Sequence, residues 1–228
     1  YWVDIPGKTI NRWSPTAGHR QWETEELPAC IAATATAGQW IAGMESGVFS
    51  LHLQDDGKAL ATRLAAVPHA APTMRFNDGR CDRQGRFWAG TMLLDMAAAA
   101  RVGCVYSYAS DSEKLATVLD DFIVPNGLAF SPDGKTMYVS DSHPTVQQVW
   151  AYDYDTQSGT PSNRRVFVDM NAFPGRPDGA AMDVDGCYWI CGNDAGLIHR
   201  FTPDGRLDKS LAVPVKKPAM CAFGGPPL

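Results

Sequence analysis

The feature that most constrains the fold is an internal repeat. In each copy, a glycine-containing turn leads into a short aromatic strand, and a second short strand follows. The aromatic residues that anchor the copies are Trp2, Trp40, Trp88, Tyr138 and Trp189, at spacings of 38, 48, 50 and 51 residues. Repeats of roughly 40–50 residues, each built from several short strands, are typical of β-propeller blades. A β-sandwich is the alternative, but it does not predict this period.

Composition limits the classes of partner. Hydrophobic residues make up 45% of the chain, which is enough for a large core. Lysine and arginine total 20 against 25 acidic residues, so the net charge is −5. A weakly acidic chain argues against nucleic acid and anionic membranes as partners. No apolar run reaches the 18 residues of a membrane-spanning helix. We expect a cytoplasmic protein. We also expect it to exist as a monomer or a weak homo-oligomer.

A polar residue recurs at one position of three successive repeats, eight residues before the hairpin glycine. The three are Asn77 before Gly85, Asn126 before Gly134, and Asp178 before Gly186. The same step from Gly38 reaches Cys30, which departs from the pattern. In a propeller this stretch enters the innermost strand of each blade, so the three side chains are expected to converge on the central channel. Their oxygens suit calcium, magnesium or manganese, and zinc less well because no histidine or cysteine joins them.

A simpler interpretation is that Asn-Gly and Asp-Gly pairs only form turns. It accounts well for Asp133-Gly134 and Asp185-Gly186, where a hairpin is expected. It accounts less well for the three aligned residues, because each is followed by a strand rather than by a hairpin partner. The aligned register therefore favours a shared axial site.

Three strings of the sequence resemble the regucalcin (senescence marker protein), gluconolactonase and luciferin-regenerating-enzyme family. They are Arg75-Phe76-Asn77-Asp78-Gly79 with the following Gly85–Met92 segment, Asn126-Gly127-Leu128-Ala129-Phe130-Ser131-Pro132-Asp133-Gly134, and Pro177-Asp178-Gly179-Ala180. The C-terminal Phe223-Gly224-Gly225 also fits. The resemblance runs from Tyr1 to Leu228, and we take residues 1–228 as one β-propeller domain that is incomplete at both ends.

The resemblance implies a six-bladed propeller with one divalent cation on its axis, Ca²⁺ first, with Zn²⁺, Mg²⁺ or Mn²⁺ as alternatives. About five blades are represented, and the N- and C-terminal strands that close the ring are expected to be missing. Asn126 and Asp178 match the metal ligands, Arg75 and Asn77 match residues that contact the substrate, and Asp95 matches an acidic residue that contacts the sugar. Asp95 as a solvated loop carboxylate is the alternative. The family's Glu-Gly-Pro-x-Trp string, which supplies a glutamate ligand, is absent from this sequence.

The predicted function is metal-assisted hydrolysis of a small-molecule sugar lactone, which opens an aldonolactone to its aldonic acid. This is carboxylic ester hydrolysis of the gluconolactonase type, in carbohydrate metabolism. Asp178 is the candidate general base. The alternatives are a non-catalytic calcium-binding regulatory protein of the same family, an interaction scaffold of the WD-repeat kind, and a propeller hydrolase that acts on another ester or an organophosphate. The sequence has no Gly-x-Ser-x-Gly, His-Glu-x-x-His or phosphate-loop motif that would indicate a different chemistry.

Overall fold

Strands make up nearly all of the regular structure of residues 1–111 and 113–224, which are the residues that the computed structural model describes. These residues form 19 strands in five antiparallel sheets, with two short 3-10 helices at Met96–Ala98 and Met170–Ala172. Gly225, the last residue of the C-terminal string noted above, lies outside them. Among these residues, no helix has the length and apolar character needed to cross a membrane.

Each sheet contains strands that follow one another in the chain. The first has three: β1 (Trp2–Asp4), β2 (Thr9–Ser14) and β3 (Gly18–Glu23). The second has β4 (Cys30–Ala33), β5 (Gln39–Gly43), β6 (Gly47–Leu53) and β7 (Ala59–Ala66), and the third β8 (Met74–Cys81), β9 (Phe87–Leu93), β10 (Gly103–Ala109) and β11 (Lys114–Phe122). The fourth has β12 (Pro125–Phe130), β13 (Thr136–Asp141), β14 (Gln148–Asp155) and β15 (Thr160–Asp169), and the fifth β16 (Arg176–Met182), β17 (Tyr188–Asn193), β18 (Leu197–Phe201) and β19 (Leu207–Ala212).

The sheets are the five blades of a β-propeller. The first strands of neighbouring sheets contact one another, β4 with β8, β8 with β12, and β12 with β16, which makes them the inner strands around the channel. The repeated aromatics lie on the second strand of the four-stranded sheets, as in Trp88 on β9 and Tyr188–Trp189 on β17. The propeller prediction is thus confirmed for five blades, and the sixth blade and the terminal strands stay predictions.

Apolar residues fill the spaces between adjacent blades. One cluster joins the fourth and fifth sheets through Tyr138 and Tyr188, whose rings stack with centroids 5.1 Å apart. A second cluster joins the third and fourth sheets through the fully buried Trp88, which contacts Phe130 edge-on. Burial of each such ring stabilises the fold by about 1.5–3 kcal/mol, so packing between adjacent blades contributes to the stability of the fold.

Hairpin glycines end the inner strands at fixed positions. Gly85, Gly134 and Gly186 have φ of 89°, 73° and 77°, a left-handed conformation that glycine adopts without a steric penalty. Just before two of them, the carboxylates of Asp82 and Asp183 accept hydrogen bonds from backbone N–H groups of the turn. These turns fix the register of the inner strands, and therefore fix which side chains reach the channel.

Candidate functional site

Three of the four described inner strands contain a β-bulge near the predicted axial residue. In β8, β12 and β16, two residues oppose one on the neighbouring strand, with register shifts at Phe76/Gly79, Asn126/Ala129 and Pro177/Ala180. A bulge bends a strand locally and redirects its side chains. The fourth inner strand, β4, pairs with β5 in regular register from Cys30 to Ala33.

The bulged strands bring polar groups together at a cavity of about 1210 Å³. Asn126 Nδ2 donates a hydrogen bond of 2.7 Å to Asp178 Oδ1, and Asn77 Nδ2 donates one of 3.1 Å to the Pro125 carbonyl. Arg75 Nη1 donates to Asn77 Oδ1 at 3.0 Å. Arg75, Asn77, Asn126 and Asp178 all line the cavity, so the structure places four of the five predicted site residues together.

Asp178 is the central carboxylate of this group. Its Oδ1 accepts from Asn126, and its Oδ2 accepts from Asn193 Nδ2 at 2.6 Å. Within the described residues, it forms no ion pair with lysine, arginine or histidine. Burial raises the pKa of Asp178 to about 6, although the hydrogen bonds from Asn126 and Asn193 oppose the rise. The carboxylate is therefore a negative charge that only neutral amides hold directly.

Arg75 supplies positive charge to the same cavity. It forms no ion pair among the described residues, and its Nη1 atom is held by Asn77 and by the Phe76 carbonyl at 2.7 Å. Burial lowers the pKa of Arg75, while the negative charge of Asp178 opposes that change. The guanidinium remains a cation, because its ordinary pKa lies far above neutrality.

Asp95 lies elsewhere. Its carboxylate caps the 3-10 helix Met96–Ala98 by accepting a hydrogen bond from Ala97 N at 3.2 Å. The residue is exposed, and its neighbour Leu94, not Asp95, lines the cavity. The contact between Asp95 and a sugar therefore stays a prediction, and the arrangement matches its alternative interpretation as a loop carboxylate.

Cys30 occupies the fourth axial position without joining the polar group. Its thiol is buried, and burial together with the nearby Asp78 raises its pKa, so it stays neutral. Among the described residues, no group of three histidine, cysteine, aspartate or glutamate side chains is placed to hold a metal ion.

Two features of the site were missed by the sequence reasoning. Asn193, which orients Asp178, ends β17, where its Cα pairs with that of Arg176. Asp141 also ends its strand, but it pairs with Pro125, whose equivalent Pro177 pairs with Gly192. Aligning the second strands of the repeats therefore gives no signal for Asn193. The second feature is Asp78 and Arg80 on β8. Asp78 gives no repeat signal, because the other two repeats have glycine at its position, Gly127 and Gly179.

Together, these observations define an all-β propeller whose central channel carries the amide–carboxylate pair of Asn126 and Asp178 beside Arg75. Residues 1–228 match the family described as SMP-30/gluconolactonase/LRE-like, and the chain belongs to that family.

Individual relatives agree with this assignment. The chain is 37% identical over 228 residues to 6-deoxy-6-sulfogluconolactonase of Pseudomonas putida, covering 99% of this chain and 75% of that protein. Among solved structures, a luciferin-regenerating enzyme superposes with a TM-score of 0.91 at 27% identity, covering 98% of this chain and 75% of that one. A calcium-binding protein, regucalcin, from Agrobacterium tumefaciens superposes with a TM-score of 0.88 at 26% identity, covering 99% and 74%.

Proposed function

We propose that this chain is a metal-dependent sugar-lactone hydrolase that opens an aldonolactone to its aldonic acid. Membership of the gluconolactonase-like family supports the reaction class, and the P. putida relative is named for a sugar lactone. The observation that carries the proposal is the Asn126–Asp178 pair on the cavity wall, with Arg75 and Asn77 beside it.

The donor chemistry of the pair fits a hard divalent cation. A carboxylate and an amide carbonyl are oxygen ligands of the kind that Ca²⁺ prefers, and Asp178 has no cationic side chain within ion-pair distance among the described residues. Asn126 and Asp178 would hold the ion, and Asn193 would fix the second carboxylate oxygen. Bound there, the cation would polarise the lactone carbonyl and stabilise negative charge on its oxygen.

The chain's own residues would do the rest. Asp178 would accept a proton from the attacking water while the water oxygen bonds to the carbonyl carbon of the lactone. The bond from that carbon to the ring oxygen then breaks, and the ring oxygen takes up the proton as a hydroxyl. Arg75 and Asn77 would orient the ring and its hydroxyl groups through directional hydrogen bonds.

The test is hydrolysis of glucono-1,5-lactone by the full-length chain, before and after chelator treatment and after return of Ca²⁺. We expect activity to disappear with the metal and to return with it. We expect Asp178→Asn to lower kcat/KM by at least about 100-fold, the scale of a lost general base. Asp183→Asn is the matched control, because Asp183 accepts from Trp189 Nε1 and Arg200 in a hairpin turn and does not line the cavity. Full lactonase activity in Asp178→Asn, or activity that chelator treatment leaves unchanged, would contradict the proposal.

A second candidate is a non-catalytic calcium-binding protein. The calcium-binding regucalcin that superposes on this chain favours it. It predicts a Ca²⁺ binding isotherm without turnover of any lactone, so the same protein sample separates the two functions.

A further inference from the structure

Two side chains of β8 contact the same residue on the neighbouring inner strand. Asp78 Oδ2 accepts a hydrogen bond from Leu128 N at 2.8 Å, and Arg80 Nε donates one to Leu128 O at 2.9 Å. Leu128 lies in the β12 bulge, between the last paired residue Asn126 and the next, Ala129. Its amide and carbonyl thus have no register partner on β13, and the side chains of β8 satisfy both.

This pairing has an energetic reason. Leu128 is fully buried, and an unsatisfied buried N–H or C=O group is costly. The bulge therefore depends on partners from outside its own sheet. Asp78 is itself buried, and its Oδ1 accepts a hydrogen bond from Gly79 N at 2.8 Å. This second hydrogen bond orients the carboxylate whose Oδ2 accepts from Leu128 N.

Arg80 extends the connection to the third bulged strand. Its Nη2 atom donates to the carbonyl of Ala180, the first paired residue after the bulge of β16. One guanidinium thus links the carbonyls of Leu128 and Ala180, which lie two residues after Asn126 and Asp178 on their strands. Asp78 and Arg80 together connect β8, β12 and β16, and we call them the Asp78–Arg80 clamp.

We propose that the Asp78–Arg80 clamp is the positioning element of the axial site: it holds the bulges that set Asn126 against Asp178. Its effect on cation affinity rests on the proposed function, whereas its effect on the β12 bulge does not. Outer groups that orient ligands typically change metal affinity by about 10- to 100-fold when they are removed.

The first experiment measures the clamp without any ligand. Site-resolved amide hydrogen exchange of the full-length chain would follow Leu128 in the wild type, Asp78→Ala and Asp78→Asn. We expect exchange at Leu128 to accelerate at least tenfold more than at core amides such as Val139 in Asp78→Ala. The increase should be smaller in Asp78→Asn, which keeps an acceptor oxygen and serves if the alanine variant fails to fold. Unchanged relative exchange at Leu128 in the variants that fold would overturn the clamp.

The second experiment separates positioning from stability. Asp82→Asn is the control, because Asp82 is also a buried carboxylate next to β8, but its hydrogen bonds join it to Arg86 and Tyr154 and not to β12 or β16. Calcium titration should show an affinity at least tenfold weaker in Asp78→Asn and in Arg80→Met, and within twofold of wild type in Asp82→Asn. An equal loss of calcium affinity in all three variants would overturn the positioning role, because it would mean that the clamp only stabilises the fold. Absence of Ca²⁺ binding in the wild type would remove the cation from the proposed function, and exchange at Leu128 would still decide the bulge claim.

Discussion

The inner strands β4 and β12 occupy equivalent places in their blades, yet only β12 contributes to the polar group. Asn126 on β12 is followed by a bulge whose main chain is held by side chains of β8. Cys30 on β4 lies in a regular ladder, and in the described part of the chain no side-chain hydrogen bond joins β4 to β8. Both residues line the cavity, so the same sequence register yields a hydrogen-bonded amide in one strand and a buried, neutral thiol in the other.

The difference shows that residue type and backbone geometry change together. A regular strand needs no glycine or outside partner, and Cys30 fits closely between blades, where a Cβ at Gly43 would lie only 2.9 Å from its sulfur. The bulge of β12 leaves the main-chain groups of Leu128 without partners on β13, and side chains of β8 satisfy them. Gly127, in the same bulge, has a φ of 61°. In β12, the axial polar residue thus occurs together with a bulge whose main chain is held by the neighbouring inner strand.

The largest expected effect on stability is from Gly127→Ala. The new Cβ would overlap Tyr188 Oη and lie 2.7 Å from Ser140 Oγ, in a left-handed conformation that alanine disfavours. We expect the free energy of unfolding to fall by about 2–4 kcal/mol, measured by urea denaturation. Gly38→Ala is the matched control on the β4 hairpin, because Gly38 has a φ of 77° but open space around a Cβ. That variant should lose only about 1 kcal/mol, and equal losses would show that the bulge adds no packing constraint.

A smaller effect is expected when the axial residue of the regular strand is made to resemble the others. Cys30→Asn places a larger polar side chain where the thiol is buried and close-packed. We expect a loss of about 1–3 kcal/mol in unfolding free energy, because the amide would be buried without partners. Calcium affinity should stay within twofold of wild type. A gain in calcium affinity would show that a polar residue at the axial position strengthens cation binding even in a strand without a bulge, and would contradict this account.

The smallest effect concerns pH and lies in the hairpin turn that joins β8 to β9. Burial alone would raise the pKa of Asp82, but hydrogen bonds from Tyr154 at 2.6 Å and Arg86 at 2.9 Å outweigh it and lower the pKa. An acid whose folded pKa is lowered stabilises the fold above its unfolded pKa of about 3.9, and this stabilisation disappears as the pH falls through the folded value. Asp82→Asn should therefore cost about 1–2 kcal/mol near neutral pH. The difference from wild type should shrink in unfolding curves recorded below about pH 4. A difference that stays constant with pH would assign the loss to packing.

The sequence predicted the blades and the meeting of Asn126 with Asp178, because both follow from a repeat that can be aligned with itself. It could not predict the bulges, since these depend on how each strand pairs with its neighbour. It also could not predict that Arg80 would reach Leu128, 48 residues away, because no local pattern encodes that contact. The cytoplasmic location, the monomeric or weakly associated state, the absence of nucleic-acid and membrane partners, and the single-domain assignment of residues 1–228 stay predictions.

The most direct test of the axial site is calorimetric titration of Ca²⁺ into the chelator-treated full-length chain. Asn126→Ala and Cys30→Ala would be compared side by side, since they truncate the equivalent residues of a bulged and a regular strand. We expect one Ca²⁺ per chain in the wild type, at least about tenfold weaker binding in Asn126→Ala, and unchanged affinity in Cys30→Ala. Equal affinity in Asn126→Ala and wild type, or an equal loss in both variants, would contradict a cation site built on the bulged strands.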